Sequence, residues 1–95
     1  MLHVCVSRRL PGHDPERIEA LGADETLAAW RLHVQGVFHA LHFDAAQNKG
    51  VVLIEAANAN EARAALARLP VVRGGQIDFD VVALGPYARL ETQFA

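Results

Sequence analysis

One cysteine, one tryptophan and one tyrosine occur in a chain of 95 residues, and aromatic side chains make up only 6% of it. With a single thiol at Cys5 no internal disulfide can form, so packing and association must hold the fold. No apolar run approaches the roughly 20 residues of a membrane-spanning helix. Neither sign of charge dominates: nine Lys and Arg stand against eleven Asp and Glu, a net charge of −2, and the basic residues are scattered. Nucleic acid needs a concentrated basic surface, and none is visible here. The opening residues lack the basic and apolar regions of a signal peptide. These absences predict a cytoplasmic protein of one domain, residues 1–95, with neither nucleic acid nor membrane as partner.

What is present is a succession of strand and helix signals. Leu2, Val4 and Val6 alternate with His3, Cys5 and Ser7, the period of a strand. Asp14-Pro15 then pairs a capping residue with a proline suited to the first helical position. Ile18, Leu21, Ala28 and Leu32 mark one side of that helix, with Leu27, Trp30 and Val34 broadening the stripe toward a stop at Gly36. Gly22 costs about 1 kcal/mol relative to alanine, so one irregular helix is predicted, weakest between Leu21 and Asp24. Val37 to Phe43 and Val51 to Glu55 read as a hairpin joined by the polar segment Asp44 to Gly50.

Asn58 and Glu61 form a capping box, Ala62, Ala65, Leu66 and Leu69 share a helical face, and Pro70 ends the run. A last strand runs from Ile77 to Leu84. The order βαββαβ predicts an α+β, ferredoxin-like antiparallel sheet with both helices on one face. The other face then meets solvent or a second subunit. Strands with valine, leucine and phenylalanine in both parities predict the second: a homodimer or higher homo-oligomer whose sheets close face to face.

Several phrases recur in fixed order: His3-Val4, Arg9-Leu10-Pro11, Asp14-Pro15, Ala23-Asp24-Glu25, Arg31-Leu32, Gly36, Leu41 and Leu69-Pro70. In that order and spacing the chain resembles, nearly end to end, the small muconolactone isomerases and their relatives in the dimeric α/β-barrel superfamily. The resemblance implies a double-bond shift in a small lactone of aromatic catabolism, from muconolactone to the 3-oxoadipate enol-lactone, with no metal or organic cofactor. Such chemistry needs a base beside a carbonyl, a donor or cation for the dienolate, and an acid to return the proton. Gly22, Phe38 and His39 depart from the family pattern at places where basic or aromatic residues are usual.

Strand parity offers an independent route to a site. If Val4 and Val6 face the helices, His3, Cys5 and Ser7 point to the open face. Ile77, Phe79 and Val81 likewise suit the helix side, which sends Asp78 and Asp80 toward His3. His3 and Asp80 are therefore expected among the catalytic groups, since burial in a closed barrel would raise a carboxylate toward the range useful for a base. The alternative for Asp78 and Asp80 is solvated edge charge. His39 and His42 stand an odd number apart on a strand, so they cannot share one ion and no metal is expected. Both parities of this strand are partly apolar, so parity leaves either His39 or His42 to enter the barrel; the family's preference for a basic residue favours His39.

Glu25, as a further catalytic candidate, and Asp24, as a substrate-binding one, belong to the shared phrase; solvation of a helix face is their alternative. Arg9 is a candidate anchor for an anionic carboxylate, and Phe38 joins the substrate-binding set. Cys5 has no evident cation beside it except His3 and reads as a packed small residue. Trp30 is expected in the core or an interface, and the 85–95 tail, with Pro86, Tyr87, Leu90 and Phe94, is expected to cross to a neighbour.

The leading expectation is thus a cofactor-free isomerase acting on a lactone or aromatic-derived acid. A cofactor-independent monooxygenase of the same superfold and a noncatalytic ligand-binding or assembly module are the alternatives.

Overall fold

Both capping signals act as the sequence implies. The Asp14 carboxylate accepts from the Glu16 amide at 3.0 Å, and the Asn58 side chain accepts from the Glu61 amide at 2.9 Å. Glu61 in return accepts from the Ala57 amide at 3.0 Å, one residue earlier than a strict capping box requires. The computed structural model describes residues 1–89. Its elements are β1 (Leu2–Arg9), α1 (Pro15–Ala20), α2 (Gly22–Val34), β2 (Phe38–Phe43), β3 (Gly50–Glu55), α3 (Ala59–Leu66), α4 (Pro70–Arg73) and β4 (Ile77–Ala83). Leu90 and Phe94, on which the expected tail exchange turns, lie outside the described residues.

The first helix breaks where Gly22 weakens it, but only slightly. The Leu21 amide donates to the Arg17 carbonyl at 3.1 Å and the Glu25 amide to the Leu21 carbonyl at 2.8 Å, so the ladder passes through the break. Pro70 ends one helical run and starts another. Its fixed φ and missing amide suit the first position of the short α4, so the residue expected to stop one helix also opens the next.

The four strands form one antiparallel sheet in the order β2-β3-β1-β4, an α+β architecture compatible with a ferredoxin-like fold. Leu32, Ala62, Leu66 and Leu69 from the helical layer pack with Cys5, Phe38, Val52, Ile54 and Phe79 from the sheet.

The parity of β1 is the reverse of the expectation. His3, Cys5 and Ser7 are buried among the helices, whereas Leu2, Val4 and Val6 lie on the open face. The expectation assumed that a strand's valines face its own chain's core. Here Phe38, Phe79, Ile54 and Leu32 supply the bulk, leaving small or narrow residues to fit beneath the helices. The Ser7 hydroxyl accepts from the Gly50 amide at 2.8 Å, and burial pushes the Cys5 thiol up to about 11, as befits a packed residue. β4 keeps its expected parity, with Phe79 buried and Asp78, Asp80 and Val82 on the open face opposite Arg8, Val6 and Val4. Valine and leucine from β1, β3 and β4 thus meet on the uncovered side.

Candidate functional site

Glu25, Thr26, Ala29 and Trp30 recur at i, i+1, i+4 and i+5, which places them on one side of α2. That side overhangs the edge strand β2, and between them lies a cleft of about 360 Å³. Phe38, Leu41, His42 and Phe43 form its opposite wall, with Val52, Leu69 and Phe79 completing the lining. The volume is that of a small-molecule pocket, and its walls are apolar and aromatic apart from Glu25, Thr26 and His42. The wall is braced by His33, whose Nδ1 lies 2.9 Å from the Phe38 carbonyl oxygen and whose ring lies 5.6 Å from that of Trp30. Trp30 is 59% exposed, so of the two expected places, core or interface, it is not in the core; it borders the cleft mouth.

Glu25 is the chemically distinctive group in the cleft. Its Oε1 accepts from the Val71 amide in the first turn of α4 at 3.1 Å, which fixes one oxygen. Burial pushes the carboxyl above the ordinary glutamate range, while the Val71 hydrogen bond and the positive charge of Arg73 pull the other way. A carboxyl raised by its surroundings, half-buried against an apolar cleft, has the character of a general base.

The other expected residues do not gather around it. His3 is fully buried on the helix side of β1, and among the described residues neither ring nitrogen has a hydrogen-bond partner. It cannot meet Asp80, which occupies the opposite face and pairs with Arg8 at 3.1 Å. Asp78 joins the same guanidinium at 3.4 Å, so both carboxylates are exposed members of an ion-pair cluster and not a dry dyad. His39 is exposed at the irregularity of pairing between Phe38 and Ala40, where the register with β3 shifts and strict alternation fails.

Arg9 borders a different hollow, beside Lys49 and Asn48. Asp24 faces a separate groove, against α4. Of the expected set, only Glu25 and Phe38 come together in the cleft. His42, Trp30 and Phe79 were missed as site residues; the helical spacing of Trp30 from Glu25 was the one sequence signal able to recruit it. Among the described residues no group of three or more His, Cys, Asp or Glu is placed to hold an ion, and no helix is long and apolar enough to cross a membrane.

No protein-family model matches the sequence, and no curated protein matches it at a significant level. The functional reading therefore rests on the cleft and on the residues that build it.

Proposed function

We propose that this chain is a cofactor-free proton-transfer enzyme of the muconolactone-isomerase kind, shifting a double bond in a small lactone or aromatic-derived acid within the cleft between α2 and β2. The observation that carries the reading is Glu25, a carboxyl raised by burial at the edge of an apolar pocket. In its ionised form Glu25 removes the γ-proton, from the ring carbon that bears the lactone oxygen, and the C–H electron pair moves through the ring double bond toward the carbonyl as a dienolate. The resulting carboxylic acid returns the proton at the carbon beside the carbonyl, so the double bond shifts by one position, atoms and charge balance, and Glu25 is regenerated. His42 is the polar side chain on the opposite wall and is assigned as donor to the dienolate oxygen.

A cofactor-independent oxygenase is the second reading, favoured by the four aromatic residues Trp30, Phe38, Phe43 and Phe79 along the cleft. They suit a flat aromatic substrate.

Pairing of two copies into a dimeric α/β barrel forms part of the same proposal. It is supported by the reversed parity of β1, because a strand that turns Leu2, Val4 and Val6 away from its own helices gains their burial only under a second layer. Val82, opposite Val4 and 57% exposed, extends that apolar face. Val82→Glu is expected to lower the oligomeric mass in size-exclusion chromatography with light scattering; an unchanged mass places the interface elsewhere.

Turnover is tested by ultraviolet assay with muconolactone, comparing the native chain with Glu25→Gln. Loss of about 10²–10⁴-fold in kcat is expected when a general base is removed. Turnover that survives the substitution rejects Glu25 as base. If the native protein shows none, while an aromatic hydroquinone drives oxygen uptake, the oxygenase reading replaces the isomerase.

A further inference from the structure

A second concavity lies beyond the cleft, on the outer side of the helical layer. Arg17 of α1, Arg31 of α2 and Arg73 of α4 converge on a groove of about 540 Å³, with Leu21, Leu27 and Pro70 supplying apolar wall. We infer that this groove binds a small molecule carrying a phosphate-class dianion next to an apolar group.

The convergence follows from helix geometry. Arg17 and Arg31 each stand seven residues from Asp24, and the hydrogen-bond ladder through Leu21 keeps all three on one side of the broken helix. Arg73, the last residue of α4, closes the groove from the other wall. Three of the nine basic residues of the chain are thereby gathered at one place. Among the described residues none of the three forms an ion pair or a side-chain hydrogen bond, in contrast to Arg8 with its two aspartates and Arg68 with Gln35.

Asp24 is the one acidic lining residue and opposes an anion. Three positive charges against one negative leave a local charge of +2, the complement of a dianion. Guanidinium forks match tetrahedral oxyanions bidentately, which a set of lysines would not do. The apolar wall asks for more than a bare ion, and the volume falls within the usual range for small-molecule sites. A single groove on a chain of net charge −2 is too local a basic surface for nucleic acid. The groove also lies on the helical side, so association through the open sheet face leaves it accessible.

Arg73 belongs to this groove and is also one of the charges acting on Glu25. An anion held against Arg73 offsets its pull, so proton binding at Glu25 and anion binding at the groove are linked in the same direction. This linkage uses Glu25 only as a titrating group and stands whether or not the cleft performs an isomerisation.

The test is an amide NMR titration of the whole chain with phenyl phosphate, inorganic phosphate, succinate and phenol. The expected result is saturable shifts confined to α1, α2 and α4, tightest with phenyl phosphate, weaker with inorganic phosphate, absent with phenol, and weakened by salt. Arg31→Gln and Arg73→Gln, both exposed positions, are each expected to weaken phenyl phosphate about tenfold, the loss of a charge-assisted contact. Asp24→Asn is expected to tighten it, an effect in the opposite direction that damage to the fold does not produce. No saturable shift, shifts mapped elsewhere, or glutamine variants that bind as the native chain does would overturn the inference. Succinate binding tighter than phenyl phosphate would overturn the phosphate class.

Discussion

Replacing His3 by leucine should make the protein more stable. The imidazole is fully buried, and among the described residues neither Nδ1 nor Nε2 has a partner. A neutral imidazole carries one donor and one acceptor, and each left unsatisfied in the interior costs about 1–3 kcal/mol. Leucine removes both polar groups at similar volume, and imperfect shape matching returns at most about 1.5 kcal/mol. The two groups together cost about 2–6 kcal/mol, so a net gain of at least about 0.5 kcal/mol is expected, read in urea denaturation as a higher midpoint at unchanged slope. For a domain of this size each kcal/mol corresponds to about 4–8 °C in Tm. His3→Ala, which leaves a cavity, should move the other way. A midpoint that does not rise, or that falls, in His3→Leu would show that the nitrogens are engaged in the folded protein, and the reasoning would fail.

The raised pKa of Glu25 makes a signed prediction. Its folded form holds the proton more tightly than the unfolded chain, so its contribution to stability is fully present below the unfolded value near 4.3 and is lost as pH rises through the folded value. Glu25→Gln keeps an acceptor for the Val71 amide and should abolish that portion of the decline when denaturation midpoints are compared at acid and neutral pH; identical pH profiles would count against the shift. Asn58→Ala removes the acceptor for the Glu61 amide and should cost about 1 kcal/mol in thermal unfolding, with α3 frayed first in hydrogen exchange.

Local chemistry carried most of the fold into view. Asp14, Asn58 and the Asp44–Gly50 connection announce themselves because caps and turns are satisfied within a few residues of sequence. Phe79 between Asp78 and Asp80 shows β4's faces because its polar and apolar positions differ sharply. β1 offers valine on one face and histidine, cysteine and serine on the other, and burial inside one chain would favour the valines. That inference fails here because Phe38, Phe79, Ile54 and Leu32 already fill the space beneath the helices, where the narrower side chains of β1 fit. The error carried His3 to the wrong side and separated it from Asp80. The cleft was legible only in part: Glu25 stood in a recognised phrase and Phe38 in a noted departure, while Trp30, His42 and Phe79 come from three elements whose meeting depends on how far α2 overhangs β2. The register shift after Phe38, which no sequence period announces, decides the fate of His39.

The sheet's two borders are unlike its face. β4 ends the sheet with Asp78 and Asp80 held by Arg8, and β2 ends it with a distorted ladder at His39. Charge on one rim and broken hydrogen-bond spacing on the other discourage a fifth strand from docking, whether from a neighbouring molecule or an unfolded chain. Growth by strand addition, the route to fibrils, is thus disfavoured at both edges of the sheet even though its valine-rich face is uncovered.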